Sequence, residues 1–333
     1  MSEANRQILL DRLPQGSLTL ENFRIVETPR PRAAEGEALL RTRYISIDPA
    51  NRAWMMGATY RPALSAGQVM AALALGEVVE SKDSSLKPGD LVTGDLGWQD
   101  YAALPARELT KLPNLAPVTH LMSVYGDPGL TAYFGLLDCG EPKAGETVVV
   151  SGAAGAVGSL VGQIAKIKGC RVIGIAGGAE KCAWLTKDLG FDVALDYKAG
   201  DLRRQLKEAT PDGIDVYFDN VGGEILDTCL FNMNVHGRVV GCGAISFYDT
   251  DAPPYVVRTM AIRMLMKRLT LRGFLVMDYY GQRERALQDL QAWVASGQLR
   301  VKEDILDGLE NTPGALIGLL RGDNLGKRMV RLG

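Results

Sequence analysis

Three evenly spaced glycines form the strongest local motif of the sequence. Gly152, Gly155 and Gly158 come directly after the apolar run Thr147–Ser151, and apolar residues at helical spacing then continue to Ile164. A strand, a glycine turn and a helix in this order suit a diphosphate, because glycines allow close backbone approach and the helix start presents free N–H groups. The spacing is G-x-x-G-x-x-G rather than G-x-G-x-x-G, so the turn alone also fits an ordinary tight connection.

Ligands of open parallel sheets collect beyond the carboxyl ends of the strands, which selects further candidates. The alternative for those outside the glycine turn is that they are ordinary loop residues. The residues predicted to contact a dinucleotide are Gly152, Ala154, Gly155, Ala156, Val157 and Gly158 in the turn, Gly177 after the second strand, Asn220 after the fourth, Cys242 and Ser246 after the fifth, and Phe274 and Val276 near the sixth.

The tip of the second strand indicates which nicotinamide dinucleotide is used. An NAD enzyme places an acid there for the ribose hydroxyls, but this strand ends in Ala176-Gly177-Gly178. Glu180 comes late, at a helix start, where it suits the helix dipole. Lys181 can reach a 2′-phosphate and Tyr197 can add a hydroxyl, although Lys181 also fits an ordinary solvated helix lysine. These residues predict a preference for NADPH.

Short apolar runs alternate with helical patterns in the middle of the chain, which predicts a six-stranded, doubly wound parallel Rossmann sheet. Brief strand signals before about residue 110 predict a small, mostly antiparallel β domain, and we expect the tail from Val301 to rejoin it. The six predicted strands are Thr147–Ser151, Arg171–Gly177, Asp192–Leu195, Asp215–Asp219, Arg238–Cys242 and Leu269–Val276.

The charge balance and the residue patterns argue against several classes of protein. The net charge is −2, with 37 basic and 39 acidic residues, which argues against a nucleic-acid partner. The uncharged stretch Thr147–Ala165 is nearly long enough to span a membrane, but its glycines favour the strand–turn–helix interpretation. The beginning of the chain does not resemble a signal peptide, and the five cysteines are scattered, so we expect a cytoplasmic protein with reduced thiols.

Metal catalysis is not indicated by the sequence. The chain has two histidines, His120 and His236, and neither stands near a cysteine pair or in a zinc-binding spacing. The prediction for metals is therefore none. A Gly-x-Ser-x-Gly turn is also missing, which lowers a hydrolase interpretation.

Several longer motifs together resemble one family, the zinc-independent branch of the medium-chain dehydrogenases/reductases. Its closest groups are the prostaglandin reductases, the plant alkenal double-bond reductases and the bacterial NADPH-dependent curcumin reductases. The resemblance extends from about Leu9 to the end of the chain. It rests on Asp127–Leu137, the turn Ala153–Gly158, Tyr217–Gly223, Cys242–Ser246 and Gly322–Lys327.

The resemblance implies a GroES-like catalytic domain, formed by residues 1–126 and 301–333, around a Rossmann domain of residues 127–300. It implies NADPH-dependent reduction of the double bond in α,β-unsaturated ketones and aldehydes, and a homodimer formed by pairing of the sixth strand, which an edge strand also invites. Lys181, Tyr197, Asn220 and Asn324 match cofactor-contacting positions.

Tyr248 matches a tyrosine proposed to act near the substrate carbonyl, where its hydroxyl can stabilise an enolate; it can instead be a packing residue of a loop. Tyr44 and Arg52 match the lining of the substrate cleft. The chain departs from the family there, since Ala50-Asn51 replaces Tyr-Met, Asp127 replaces methionine and Met277-Asp278 replaces Tyr-Arg. These departures leave the natural activated alkene open.

Two other functions remain compatible with the sequence. One is an NADPH quinone reductase of the same superfamily, which shares the cofactor site and differs in the cleft. The other is a non-catalytic NADPH-binding protein, which the retained Tyr248 disfavours. The methionine-rich stripe between Val256 and Met266 fits either an adaptable pocket wall or helical core.

Overall fold

A computed structural model describes residues 4–253, 255–257 and 259–333. Residues 1–3, the start of the predicted catalytic domain, therefore lie outside the described residues. Two large sheets dominate this part of the chain: one is mostly antiparallel and the other is entirely parallel. The predicted fold class is confirmed, because a Rossmann sheet stands beside a mostly β domain.

The β domain contains the first strands of the chain. β1 and β2 form an antiparallel ribbon, and the larger sheet has β3 at its centre, paired with both β4 and β6. The bounds of these elements are β1 (Ala4–Leu10), β2 (Phe23–Pro29), β3 (Glu37–Ser46), the short helix α1 (Ala50–Ala53), β4 (Leu73–Ser81), β5 (Leu91–Asp95), β6 (Tyr101–Pro105) and β7 (Thr110–Lys111).

The helix α2 (Asp127–Phe134) runs into a π-helical turn, Gly135–Gly140, and the parallel sheet follows. Its strand order is β10-β9-β8-β11-β12-β13, the doubly wound order of a Rossmann sheet. The elements are β8 (Thr147–Ser151), α3 (Gly158–Ile167), β9 (Arg171–Ala176), α4 (Ala179–Lys187), β10 (Val193–Asp196), α5 (Leu202–Ala209), β11 (Ile214–Asp219), α6 (Gly223–Asn232), β12 (Met233–Gly241), α7 (Met260–Lys267), β13 (Thr270–Gly273) and α8 (Arg283–Ala295).

The end of the chain returns to the β domain. β14 (Glu303–Asp307), α9 (Thr312–Arg321) and β15 (Lys327–Arg331) follow α8, and β15 inserts between β14 and β3. Leu316 and Val330 pack in the same buried cluster as Ile8 and Trp98. Both chain ends therefore share one core, while the domain boundaries at residues 126 and 300 stay a prediction.

Two predicted strands differ from the observed ones by more than one residue at an end. β12 begins at Met233, five residues early, although its regular pairing with β11 resumes only at Arg238 after an irregularity in which His236 has a left-handed φ of 63°. β13 ends at Gly273, so Phe274–Val276 is not part of the strand. Apolar character continues through Val276, but a 3₁₀ helix begins there, and hydrophobicity alone does not mark that turn.

The methionine-rich segment is only partly core. Met260 and Met264 of α7 pack against the sheet cluster, whereas Ile262, Leu265 and Met266 are 52%, 70% and 61% exposed. In the described part of the chain, none of the helices has the length and apolar content needed to traverse a bilayer.

Close packing holds α3 against the sheet through the ring of Phe191. A Cβ built on Gly162 of α3 would lie 1.9 Å from Cζ of Phe191, and one built on Gly174 of β9 would lie 2.9 Å from Cδ1 of the same ring. Phe191 is 3% exposed. The ring thus packs directly against both glycines and cannot move away from an added methyl group.

We expect Gly162→Ala to lower the free energy of unfolding by about 1–3 kcal/mol, because overpacking the ring outweighs alanine's helix propensity. The matched control is Gly314→Ala in α9, whose Cβ would meet no atom within 4 Å. It should leave stability unchanged or raise it by up to about 1 kcal/mol. Denaturant unfolding measures both, and equal stability of the two variants would contradict the packing argument.

Candidate nucleotide-binding and active site

The glycine turn is shaped by contacts that leave no space for side chains. Gly152 has a φ of 58°, and a Cβ on Gly158 would lie 2.4 Å from the Gly152 carbonyl oxygen. The Gly155 N–H donates to that same oxygen at 3.0 Å. α3 begins directly after this turn, and the first N–H groups of a helix lack partners within it. The predicted residues from Gly152 to Gly158 therefore lie together around a helix N-terminus.

A buried carboxylate organises the neighbouring strand ends. Oδ1 of Asp219, the last residue of β11, accepts the Tyr217 hydroxyl at 2.7 Å and the Ser151 hydroxyl at 3.0 Å. It also accepts the N–H groups of Val221 and Gly222 at 3.0 and 2.9 Å. Burial, and then the charge of Asp219, raises the pKa of Tyr217 well above its ordinary value, so Tyr217 stays a hydrogen-bond donor.

Asn220 is attached to the end of β8. Its side-chain N–H donates to the Ser151 carbonyl at 2.7 Å, and its backbone N–H donates to the Ser151 hydroxyl at 2.9 Å. A Cβ on Gly152 would lie 3.4 Å from the Asn220 Cβ. The predicted residue after the fourth strand therefore borders the glycine turn.

The loops after β11 and β12 are joined to each other. The N–H groups of Cys242 and Gly243 donate to the Asp219 carbonyl at 2.9 and 3.1 Å. The Ser246 hydroxyl donates to the Val221 carbonyl at 2.6 Å. Cys242 and Ser246 thus lie at the same strand edge as Asn220.

Two lysines meet at the tip of β9. Lys181 is half-buried, and burial lowers the pKa of its ammonium group; the neighbouring charge of Lys198 lowers that pKa further, against the opposing effect of Asp323. A Cβ on Gly177 would lie 2.9 Å from both Lys198 Cε and Tyr197 Cε1. The predicted residues Gly177, Lys181 and Tyr197 therefore share one corner with Lys198, a residue the sequence analysis missed.

An acid beside this corner, Asp196, is engaged by the backbone. Asp196 Oδ1 accepts the N–H groups of Gly178 and Lys198, each at 2.9 Å. The carboxylate therefore shapes the corner instead of projecting into it as a ribose-binding acid would.

The loop before β15 closes the corner from the β domain. Lys181 Nζ donates to the Gly322 carbonyl at 2.6 Å, and the Gly326 N–H donates to the Ala154 carbonyl at 2.9 Å. Asn324 is 8% exposed and its side chain donates to the Gly326 carbonyl at 2.9 Å. Asn324 thus lies in the loop that joins the contact with Lys181 to the contact with the glycine turn, and its nucleotide-binding role stays a prediction.

These features fit a phosphorylated dinucleotide. Gly178 would meet nothing within 4 Å if it carried a Cβ, and a Cβ on Gly322 would meet only Lys181 Nζ, at 3.9 Å. Small residues thus leave open space beside Lys181, and two like charges placed together favour a dianion between them. The start of α3 presents its positive dipole end to a second phosphate, while the N–H groups of Ser159 and Leu160 already donate to the Gly155 and Val157 carbonyls.

Tyr248 lies in the segment that follows β12. The Ala244 N–H donates to its hydroxyl at 3.3 Å, and a 3₁₀ turn, Ile245–Phe247, precedes it. The segment is anchored at its far end, where the Tyr255 hydroxyl and the Thr259 hydroxyl donate to Asp227 of α6 at 2.9 and 3.1 Å. Tyr248 therefore lies between attachments at Ser246 and Thr259. We call this segment, residues 246–259 apart from 254 and 258, the strap.

The residues assigned to the substrate cleft fall in separate environments. Arg52 is buried and bonded to Asp249, one residue beyond Tyr248. The Tyr280 hydroxyl donates to Asp127 at 2.9 Å, and Met277 is in the same 3₁₀ helix as Tyr280. Burial raises the pKa of Asp127, and the charge of Asp48 adds to the rise, while the hydrogen bond from Tyr280 opposes it.

Tyr44 and Phe274 lie in packed surroundings. Tyr44 packs beside Leu75 and Met329 and lines a cavity of about 350 Å³ near the end of the chain. Phe274 makes an edge contact with Phe218, at 6.5 Å between ring centroids, and a Cβ on Gly135 would lie 2.4 Å from its ring. Val276 starts the 3₁₀ helix that follows. The nucleotide-binding roles of Phe274 and Val276 and the cleft role of Tyr44 stay predictions.

The structure also describes the Cys242 thiol and the grouping of side chains that could bind a metal. Burial raises the pKa of Cys242 to about 12, with Asp219 and Cys139 adding to the rise, so the thiol is neutral at ordinary pH. No group of three or more His, Cys, Asp or Glu side chains suited to hold a metal ion occurs among residues 4–253, 255–257 and 259–333.

Sequence reasoning missed Asp219, Lys198 and Asp249 as site residues. Asp219 was read only as the end of a strand, although an acid at a strand's carboxyl end was a usable signal. Lys198 is adjacent to the nominated Tyr197 and could have been found by that adjacency. Asp249 pairs with Arg52, 197 positions away, and nothing local indicates the pairing.

Comparison with known proteins agrees with this geometry. Residues 6–112 match the family model described as the N-terminal domain of oxidoreductase, and residues 156–293 match the model described as zinc-binding dehydrogenase. The chain therefore belongs to the medium-chain dehydrogenase/reductase family.

Within that family, the chain is similar to a group of NADP-dependent reductases. It is 44% identical to the NADPH-dependent curcumin reductase of Escherichia coli, over 99% of this chain and 97% of that one. It is 38% identical to the NADP(+)-dependent 2-alkenal reductase of Nicotiana tabacum, over 98% and 97%. The crystal structure of CurA from Vibrio vulnificus in complex with NADPH is 41% identical, with a TM-score of 0.93 over 98% and 99% of the two chains.

Proposed function

We propose that this protein is an NADPH-dependent reductase of the carbon–carbon double bond in α,β-unsaturated ketones and aldehydes. The observation that carries the proposal is the corner at the tip of β9, where Lys181 and Lys198 surround a space bordered by glycines. A 2′-phosphate is the feature that distinguishes NADPH from NADH, and this corner suits it.

The substrate class is supported by the full-length relatives. A 2-alkenal carries a double bond conjugated to an aldehyde, and the tobacco relative is named for reducing that class. The curcumin reductase matches along nearly the whole of both chains. The proposal therefore extends to activated alkenes generally and leaves the natural substrate open.

The chain's own residues bind and orient the nucleotide. N–H groups from the turn Gly152–Gly158 would hold the diphosphate at the start of α3, and Lys181, Lys198 and Tyr197 would hold the 2′-phosphate. Asn220 and Asn324, with backbone groups near Cys242 and Ser246, border the remaining length of the site. When bound there, NADPH supplies the hydride that the β-carbon of the substrate receives.

Tyr248 stabilises the charge that develops on the substrate carbonyl oxygen. A hydroxyl aimed at that oxygen binds the enolate more strongly than the neutral ketone, which lowers the barrier. The same hydroxyl, or water, can then provide the proton that completes the reduction. Asp127 and Tyr280, whose carboxyl and hydroxyl are hydrogen-bonded, and the neighbouring Met277 would line the outer cleft.

The proposal includes the domain boundaries and the cellular compartment expected from the sequence. We assign the catalytic domain to residues 1–126 and 301–333 and the Rossmann domain to residues 127–300. We also infer a cytoplasmic enzyme that uses no catalytic zinc; the free state of all five cysteines accords with a reducing compartment.

A homodimer is proposed through the edge of the Rossmann sheet. β13 is an end strand of this sheet, and Thr270, Arg272 and Gly273 are exposed. The exposed face of α7, formed by Ile262, Leu265 and Met266, directly precedes this edge. A second copy would pair with the free strand and cover the apolar face.

Loss of the phosphate-binding charge should weaken NADPH selectively. We expect Lys181→Met and Lys198→Met each to raise the Kd for NADPH about 10- to 100-fold, because a charge-assisted hydrogen bond contributes about 1.5–3 kcal/mol. The Kd for NADH should change little. Lys187→Met, an exposed lysine at the end of the same helix as Lys181, is the control. Equal weakening of both nucleotides would refute the assignment.

Tyr248→Phe should lower kcat for an enone about 100-fold, since one donor to a developing oxyanion is lost. Tyr133→Phe is the control: its hydroxyl donates to Asp289 of α8, outside the strap, so kcat should stay within about twofold. NADPH consumption is measured against a panel of enones, enals and quinones. Turnover of quinones alone would favour the quinone reductase, and binding without any turnover would favour a non-catalytic protein.

The dimer proposal predicts sedimentation at twice the mass of one chain. Leu265→Lys should shift the protein towards the monomer, because it places a charge in the apolar face of the interface. Leu20→Lys is the control, since Leu20 is equally apolar and 63% exposed on the β domain. A wild-type protein that sediments as a monomer at micromolar concentration ends this proposal.

A further inference from the structure

The strap that carries Tyr248 is bound to the β domain by two carboxylates. Asp249 Oδ1 accepts the Leu18 N–H at 2.7 Å and Arg52 Nε at 3.1 Å. Asp251 accepts the Ser17 N–H at 3.1 Å and the Ser17 hydroxyl at 3.4 Å. We call this group, Asp249 and Asp251 with Gly16–Leu18 and Arg52, the carboxylate clasp.

Arg52 bonds to both parts of the clasp, the strap and the segment Gly16–Leu18. Besides the pair with Asp249, its Nη2 donates to the Gly16 carbonyl at 2.9 Å. The side chains of Arg52 and Asp249 are only 6% and 11% exposed. Removing either partner of such a pair leaves the other charge buried without compensation, so the contact is sensitive to substitution on either side.

Gly16 shows that the two parts approach as closely as the backbone allows. A Cβ at this position would lie 1.7 Å from Asp251 Oδ1, and the φ of Gly16 is +95°. Any side chain would therefore collide with the carboxylate and strain the backbone. Charge, hydrogen bonding and a glycine contact all point to the same docked position of the strap.

We propose that the carboxylate clasp positions Tyr248 for the reaction, with Asp249 as the principal positioning residue. The Tyr248 hydroxyl bonds only within its own segment among the contacts of the described residues, to the Ala244 N–H. Its position therefore depends on how the strap is anchored: by Ser246 to the Val221 carbonyl, by Asp227 towards α7, and by the clasp directly after Tyr248. The proposal rests on the function proposed above for its assignment of Tyr248.

The clasp acts through Tyr248, which gives it a kinetic signature. Asp249→Asn should lower kcat for an enone about 10- to 100-fold and change the Kd for NADPH less than threefold, because the phosphate-binding groups are elsewhere. Asp249→Glu, which keeps the charge, should recover part of kcat. In a Tyr248→Phe background, Asp249→Asn should cause no further loss, since residues that act as one unit are not additive.

Two further variants separate positioning from folding. Gly16→Ala displaces the clasp without removing a charge and should lower kcat in the same way. Asp212→Asn, an exposed carboxylate outside the clasp, should leave kcat unchanged. A loss of kcat in Asp249→Asn that is equally large in the Tyr248→Phe background would overturn the proposal, as would an unchanged kcat in both clasp variants.

Amide hydrogen exchange tests the clasp without any turnover. The N–H groups of Ser17 and Leu18 should exchange at least tenfold faster in Asp249→Asn than in the wild-type protein, while the amides of β8 keep their protection. Unchanged exchange at Ser17 and Leu18 would refute the clasp. If the wild-type protein reduces no enone but Asp249→Asn still shows the faster exchange, the proposed function is refuted and the clasp is retained.

Discussion

The buried carboxylate of Asp219 is the interaction on which the nucleotide half of the site depends. At 4% exposure an ion is costly unless its oxygens are bonded, and one oxygen here accepts two hydroxyls and two N–H groups. Those donors come from β8, from β11 and from the loop after β11. The Asp219 carbonyl receives two more N–H groups from the loop after β12. A single residue thus connects the ends of β8, β11 and β12 at the edge proposed to bind the nucleotide.

This arrangement explains why polar backbone can be placed at the edge without loss of stability. The loops after β11 and β12 bond to each other and to Asp219, so contacts within the protein hold their conformations. The glycine turn is held separately, by bonds between its own backbone and the β15 loop. A preorganised site of this kind spends little binding energy on ordering, which favours affinity for the nucleotide.

Much of the Rossmann domain could be predicted because its signals are local. β8 is buried along its whole length, so its run of β-branched residues and the glycines after it suffice to place the turn. The preference for NADPH could also be predicted locally. The strand tip carries no acid, and Lys181 follows it within a few residues. The sixth strand was overestimated because hydrophobicity continues through Val276 after the backbone has left the strand. Side-chain burial and strand pairing are different constraints, and only the first is visible in composition.

The substrate half was less predictable because its contacts join distant parts of the chain. Arg52 was assigned to the cleft by resemblance, but its partner Asp249 and the carbonyl of Gly16 are known only once the domains are docked. Tyr280 reaches Asp127 across 153 positions, again without a periodic signal. The two halves therefore differ in kind: most of the proposed nucleotide site is built by turns at the strand ends of one sheet, whereas Tyr248, the proposed catalytic residue, is adjacent to an ion pair that joins Asp249 to the distant Arg52. Substitutions that change substrate preference in such a fold can thus act far from the substrate, by shifting the strap, while the nucleotide site stays intact.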